Sequence, residues 1–403
     1  MRKILFLLFF FSCAQLTQKN TQELILDNPP TIGKTKLTGK LYLGGFSGID
    51  FLKAEDDSII VYTVTDRGPN TPSFDFNKDG IADRGFVLPY YTPEIVKLKL
   101  TGLKIEVLKR IPIKLKNKKI SGLPNQNKKT SPLSFDETAF NIKKKKLKFR
   151  RSGIDPEGIA LDKEDNFWVV EEYGPSILKI SKKGKILKRF IPNIEKSKRY
   201  GSKKLPFVFG QRKRNRGFEG VVLLGNKLYT ALQSPLPIGD WENNGIGHIL
   251  EFDIEKEEVT GHYLYFFEKQ GQKVGALTKT KDGKLLILEQ NGKLGTNSFK
   301  KVFKLDISSA TNIFPNEFNP KASRFEIKKM GYQPIPKTLY MNLDTNPKLT
   351  QHEKVEGMVL LPTKEIIITI DNDFGLGDFL DEETGEFNNV EVQKESHIYR
   401  IKL

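Results

Sequence analysis

Acidic residues stand beside glycine at one position of a repeated pattern. Asp-Pro-Glu157-Gly158-Ile-Ala-Leu, Gly-Phe-Glu219-Gly220-Val-Val-Leu and Lys-Val-Glu356-Gly357-Met-Val-Leu share a Glu-Gly unit that opens an apolar run. Phe-Ser47-Gly48-Ile-Asp-Phe-Leu and Lys-Val-Gly275-Ala276-Leu-Thr are looser copies. The strand pattern after each copy ends in a polar residue: Asp66, Glu172, Gln233, Glu289 and Asp371. From Gly158, Gly220, Ala276 and Gly357 the spacing to that residue is thirteen or fourteen positions; from Gly48 to Asp66 it is longer. In an antiparallel hairpin, the start of one strand and the end of the next share an edge. Glu157 is therefore expected near Glu172, Glu219 near Gln233, and Glu356 near Asp371. Gathered carboxylates repel, and burying them is costly unless a cation or a proton compensates. A hard cation with oxygen ligands, Ca²⁺ above all, fits such a set. Asp373, two residues past Asp371, belongs with it. The alternative is turn chemistry, with each Glu accepting backbone amides of a neighbouring unit.

Two further features carry charge. Asp75-Phe76-Asn77-Lys78-Asp79-Gly80-Ile81-Ala82-Asp83 places oxygen donors at alternate positions with Gly at the sixth, as in the first half of an EF-hand calcium loop. Phe86 stands where that loop has its bidentate Glu, so Asp83 at the ninth position is the expected substitute. Arg67 follows Asp66, and Arg212, Arg214 and Arg216 lead up to Glu219. Guanidinium groups beside a metal cluster suit a phosphate or carboxylate ligand; ordinary surface charge is the alternative. Nucleophile elbows, Walker loops and dinucleotide fingerprints do not occur. His352, close to Glu353 and Glu356, is the only histidine beside the candidate site and reads as structural.

The elements that must position these residues are short strands. Ser58–Val64, Phe167–Val170, Lys227–Leu232, Leu285–Leu288 and Ile366–Ile370 are apolar or β-branched and bounded by Asp, Asn, Gly or Pro. No long helical periodicity competes with them. Three or four strands per repeat, 50 to 100 residues apart, fit the blades of an all-β propeller. Five units are clear, and a sixth is expected from residues 103–150 or 321–345. Ring closure would then bring the acidic edges to one mouth of a central channel. Two stacked sandwiches are the rival architecture.

At the N-terminus, Met1-Arg2-Lys3 precedes an apolar run, Ile4–Phe11, and then Cys13. This is the layout of a signal segment over residues 1–12 with a lipid-anchoring Cys13, as in bacterial lipoproteins. Residues 13–40 are expected as a tether, and 41–403 as the propeller domain. Cys13 is the only cysteine in 403 residues, which excludes a disulfide framework and multi-thiolate zinc. With 66 Lys and Arg against 49 Asp and Glu, the formal charge is +17. Short lysine runs such as Lys143–Lys146 lack interleaved aromatics, so no nucleic-acid partner is expected. The apolar content, 38%, excludes a wholly disordered chain. The chain is expected to be exported, monomeric and held to a membrane only by lipid.

Six ordered motifs carry a family resemblance. They are Thr65-Asp66-Arg67-Gly68-Pro69-Asn70, Asp155-Pro156-Glu157-Gly158, Glu171-Glu172-Tyr173-Gly174-Pro175-Ser176, Asn215-Arg216-Gly217-Phe218-Glu219-Gly220, Lys354-Val355-Glu356-Gly357 and Asp371-Asn372-Asp373-Phe374-Gly375. Over residues 40–403 the chain resembles the phytase-like family, labelled "esterase-like activity of phytase". The resemblance implies a secreted or surface-attached propeller that hydrolyses a carboxylic or phosphate ester. On this reading Glu157, Glu219 and Glu356 are catalytic acids or ligands, and Arg67 and Arg216 neutralise an anionic small-molecule ester. Asp66, Glu172, Glu289, Asp371 and Asp373 are metal ligands at the mouth, with calcium the expected cofactor. Asp75, Asn77, Asp79 and Asp83 form a separate loop site. The alternative function is a non-catalytic lipoprotein that binds a ligand or partner and holds structural calcium.

Overall fold

Runs such as Ile366-Ile367-Ile368 are apolar at consecutive positions, so side chains on both faces of the strand need cover. A propeller supplies that cover by packing each blade between two others. In the computed structural model, which describes residues 20–125, 135–194, 199–238, 245–269, 271, 273–316, 322–377 and 379–403, Ile366 and Ile368 pack toward one neighbouring blade and Ile367 toward the other. Cys13 and the expected signal segment lie outside these residues.

There are five blades, each a four-stranded antiparallel meander running outward from the axis. Blade I is Phe46–Glu55, Ser58–Thr65, Glu94–Thr101 and Lys104–Pro112. Blade II is Pro156–Leu161, Phe167–Glu171, Ser176–Ile180 and Ile186–Pro192, with Ser202–Leu205 added in parallel at its edge. Blade III is Phe218–Leu224, Lys227–Leu232, Ile246–Asp253 and Glu258–Phe266. Blade IV is Lys273–Lys279, Leu285–Gln290, Lys300–Leu305 and Lys337–Asn342. Blade V is Val355–Leu360, Glu365–Ile370 and Ser396–Lys402, completed by Asn20–Leu26 from the start of the chain.

The inner strands touch in the cyclic order I, II, III, IV, V and back to I. A separate apolar core fills each of the five gaps between adjacent blades. The II–III core, for example, buries Trp168, Val170, Phe218 and Leu228 completely, each side chain worth about 1.5–3 kcal/mol relative to exposure.

The expected sixth blade does not form. Lys104–Pro112 and Lys337–Asn342, taken from the two candidate stretches, are the outermost strands of blades I and IV. Both segments look weak in sequence because an outer strand has only one fully covered face. The tether expected over residues 13–40 is also not free from residue 20 onward. Asn20–Leu26 pairs in full register with Ser396–Lys402, and Thr31–Thr35 forms a hairpin with Gly39–Tyr42. Leu24 and Leu26 fill the V–I core, so the first and last strands clasp the ring.

The glycine of each repeat marks where inner strands meet backbone to backbone. A Cβ on Gly48 would lie 2.5 Å from the Gly158 Cα, one on Gly158 2.9 Å from Gly220, and one on Gly220 2.7 Å from the Leu277 nitrogen. One on Gly275 would reach the Val355 carbonyl at 2.3 Å, and one on Gly357 the Ser47 carbonyl at 2.3 Å. These neighbours are main chain and cannot rotate away. Gly48→Ala is therefore expected to cost roughly 1–3 kcal/mol or more, read as a lowered midpoint in denaturant unfolding.

Candidate functional site

Each inner strand also carries a break in its ladder at the repeat position. Pairing skips between Pro156 and Gly158, Glu219 and Val221, Val274 and Ala276, Val355 and Gly357, and Phe46 and Ile49. A β-bulge takes a side chain out of the strict alternation of the strand. Here it turns Glu157, Glu219 and Glu356 toward the axis, where one oxygen from each lies within 4.8 Å of the others. Ser47 and Val274 occupy the same position in blades I and IV, which is why the ring holds three carboxylates. Among the described residues, none of the three accepts a backbone amide of a neighbouring blade. Glu219 accepts from Gln233 Nε2 at 2.9 Å and Glu356 from Ser47 Oγ at 3.4 Å. Glu157 Oε2 and Glu219 Oε1 are buried with no hydrogen-bond partner.

Two more acidic groups adjoin this triad; Glu172, Asp66, Asp371 and Asp373 lie just past second strands, and Asp155 just before a first strand. Asp155, Glu157 and Glu172 are mutually within 4.8 Å, as are Asp66, Asp371 and Asp373. The clusters open into one cavity of about 630 Å³ that is also lined by Arg67, Arg84, Arg216 and Lys354.

The cations are not equivalent. Arg67 is buried and locked: its Nη1 contacts Asn215 Oδ1 at 2.6 Å, Asp155 Oδ2 at 3.2 Å and Glu137 Oε2 at 3.4 Å. Its amide also donates to Asp155 Oδ1 at 2.9 Å. Arg84 grips Glu137 from the other side, at 2.8 Å and 3.2 Å. Lys354 bridges Asp371 at 2.8 Å and Asp373 at 2.5 Å. Arg216 is the accessible guanidinium: its side chain is 33% exposed, and its Nη1 donates to the Asn215 carbonyl at 2.7 Å and reaches Glu172 at 3.4 Å.

Electrostatics follow from this crowding. Burial, reinforced by Glu219, holds Glu157 well above the usual carboxylate range; burial and Glu356 do the same for Glu219. Burial, with Asp371 beside it, pushes Glu356 up to about 8. Asp155 also rises to about 8 through burial, despite Arg67. Burial and Asp371 raise Asp66, and burial and Asp373 raise Asp371. Burial alone would raise Asp373 too, but the Lys354 ion pair outweighs it and holds Asp373 low. A divalent cation fits the Glu157–Glu219–Glu356 triad best. That triad has orphaned buried oxygens and no ammonium group among them, whereas Lys354 already occupies the space between Asp371 and Asp373.

The other expected site residues lie elsewhere. Glu289 is away from the mouth: its carboxylate is fully buried, contacts Lys337 and Tyr265, and accepts the Glu268 amide at 2.9 Å. The reason is register. Between bulge and turn both hairpins have four pairs, Ala276–Leu288 to Lys279–Leu285 in blade IV and Gly158–Val170 to Leu161–Phe167 in blade II, so Glu289, paired with Val274, is the counterpart of Glu171, paired with Pro156. Gln290 is then the counterpart of Glu172, and Glu289 stops one residue short of the rim, on the opposite face of the strand. Asp75, Asn77 and Asp79 sit in the turn between the strands Asn70–Phe74 and Asp83–Phe86, and Asp83 opens the second of them. His352 lines the cavity but bonds Tyr399 Oη at 2.8 Å, and burial lowers it to about 4. Arg212 is fully buried against Asp136, and Arg214 Nη1 donates to the Ala82 carbonyl at 2.7 Å.

Asp155, Lys354, Arg84, Glu137 and Asn215 were not foreseen as site residues. Asp155, Lys354 and Asn215 lie inside the motifs of the sequence, two to four residues from a repeat glutamate. Arg84 and Glu137 come from segments between blades and carry no repeat signal.

Fold and site together define an all-β propeller with an acidic pit ringed by cations at one mouth. The chain belongs to the phytase-like family, described as esterase-like activity of phytase, whose model matches residues 42–374. That description supports a hydrolase. An uncharacterized secreted protein of Arthroderma benhamiae is 30% identical over 106 residues, which is 22% of this chain and 21% of that protein's length. A GH43 β-1,3-galactosidase aligns with a TM-score of 0.42 at 11% identity, covering 92% of this chain and 60% of its own. The α-L-arabinofuranosidase of Podospora anserina aligns at 0.37 and 8% identity, covering 89% and 91%. The activities of these two structures say nothing of this chain.

The raised carboxylates set a pH dependence. An unfolded glutamate titrates near 4.5, whereas Glu356 in the fold holds its proton to about 8. Between those values the metal-free fold binds more protons than the unfolded chain, so stability falls as pH rises. Chelator-treated protein is expected to be most stable below about pH 4.5 as far as this group is concerned, and to lose melting temperature steadily toward pH 8. Saturating divalent cation should flatten that slope, checked by calorimetry at several pH values.

Proposed function

We propose that this chain is an exported, metal-dependent hydrolase of phosphate or carboxylic esters, working at the acidic mouth of the propeller. The observation that carries the reading is the convergence of Glu157, Glu219 and Glu356, with orphaned buried oxygens, beside an accessible arginine. Glu157, Glu219 and Glu356 would hold the cation, with Glu172 and Asp155 adjoining it. When bound, a divalent ion would supply Lewis-acid polarisation of a phosphoryl or acyl oxygen. Arg216 is placed to receive the anionic part of a small ester by charge-assisted hydrogen bonds. Arg67 acts differently: its three acceptors fix Asp155, Glu137 and Asn215, so it shapes the wall and does not reach out to a ligand. The proton that Glu356 holds to about 8 in the metal-free pit would leave when the cation binds, so Glu356 would serve as an ionised ligand. Export accords with the fungal relative being called secreted. Anchoring through Cys13 and a monomeric state are part of the same proposal.

The test is turnover of p-nitrophenyl phosphate, bis-p-nitrophenyl phosphate and short-chain p-nitrophenyl esters, with calcium and with chelator. Activity on at least one is expected, lost on chelation. Glu219→Gln and Glu356→Gln should each lower kcat/KM by about 100-fold or more. Arg216→Ala should mainly raise KM for the anionic substrates. If calcium-loaded protein turned over none of them, the non-catalytic binding reading would take its place.

A further inference from the structure

The turn at residues 75–83 is not used by the mouth. It is built from inward-facing oxygens. Asp75 accepts the amides of Asp79 at 3.1 Å and Gly80 at 2.8 Å, Asn77 accepts the Asp79 amide at 3.0 Å, and Asp79 accepts the Ile81 amide at 3.0 Å. Lys78 and Gly80 both have positive φ, 57° and 76°, which closes the turn tightly. Such turns are common and prove nothing alone.

The separate observation is Asp83. It is 1% exposed, and neither carboxylate oxygen makes a hydrogen bond. The Thr138 hydroxyl and the Asn77 amide ease its charge without reaching full hydrogen-bond geometry, while Asp79 and Asp75 oppose it. Leaving a buried carboxylate unpaired while it faces two others is costly. The adjacent arginines do not relieve it: Arg214 donates to Ala82 and lies over the Phe135 ring at 4.4 Å, and Arg84 is bound to Glu137.

We infer that Asp75, Asn77, Asp79 and Asp83 hold a calcium ion, distinct from any ion at the mouth, that fixes the cationic wall of the cavity. The oxygens fall at positions one, three, five and nine of the turn, and hard oxygen ligands in a flexible turn favour Ca²⁺ over Mg²⁺. The wall follows directly. Asp83 opens the strand Asp83–Phe86, the next residue is Arg84, and Arg84 holds Glu137, which holds Arg67. Phe76, inside the turn, packs on Phe74, Phe140 and Phe387 and roots it in the fold.

The experiment is calorimetric titration of the chelator-treated full chain with CaCl₂, together with hydrogen exchange of residues 70–86 with and without calcium. The wild type should show a turn site whose occupation slows exchange in that segment at least tenfold. Asp75→Asn/Asp79→Asn, changed at an exposed turn where folding is safe, should lose that site and that protection. Glu219→Gln/Glu356→Gln should keep both, so failure at the mouth leaves this site standing. Calcium binding and exchange in Asp75→Asn/Asp79→Asn equal to the wild type would overturn the inference, as would absence of calcium-dependent protection in the wild type.

Discussion

The structure depends on how closely five backbones approach one another around the axis. At Gly48, Gly158, Gly220, Gly275 and Gly357 there is no room for a Cβ between adjacent inner strands. That contact sets the diameter of the channel, and the diameter sets the spacing of the residues beside the glycines. Three of those residues are glutamates, so their oxygens come within 4.8 Å of each other. The Glu-Gly pair is therefore one device with two parts. The glycine draws the strands together, and the glutamate supplies the charge that the closeness makes costly. The apolar cores between blades resist any opening of the ring, since relief of the repulsion by widening would expose five buried interfaces at once.

A strongly basic chain with an acidic pit needs a local account of charge. Lys143–Lys146 and similar runs are exposed and act at long range, drawing anions toward the surface, with screening over about 10 Å in 0.1 M salt. Within the mouth the order reverses. Arg67, Arg84 and Lys354 are consumed by carboxylates, leaving Arg216 as the accessible partner for a ligand among the cavity's guanidinium groups. An anion entering a pit of unpaired carboxylates would be repelled. With a cation among Glu157, Glu219 and Glu356 the same pit becomes an anion receptor. On the proposed reading, metal and substrate thus depend on each other electrostatically before any bond is broken.

The propeller and its acidic triad were readable in the sequence because they repeat. Glu157, Glu219 and Glu356 lie next to a glycine in strands with the same alternation, and one closing ring carries all three to the axis. What did not repeat was misread or missed. Outer strands such as Lys337–Asn342 bury one face, so their pattern is diluted and two of them passed for a separate unit. Asn20–Leu26 begins with polar residues, and its pairing partner is almost 400 residues away, beyond the reach of any local signal. Glu289 shows the limit of counting. It matches Glu171 in the ladder, one residue before the rim position, and one residue along a strand reverses the face. Glu137 joins Arg67 and Arg84 across separations of 70 and 53 residues, and nothing in either segment announces the contact.

These differences point to a division of labour. The blades supply carboxylates at positions dictated by ring closure, and such positions are hard to move without disturbing a close-packed neck. The segments between strands supply much of the rest. Arg84 comes from the small sheet inserted in blade I, Glu137 from the connection between blades I and II, and Asn215 and Arg216 from the approach to blade III. Loops on a rigid frame tolerate substitution far better than the frame does. The acidic floor is thus set by ring closure, while much of the wall around it comes from side chains that the repeat does not encode. On the proposed reading, one acidic floor would serve whichever anion the inserted walls admit.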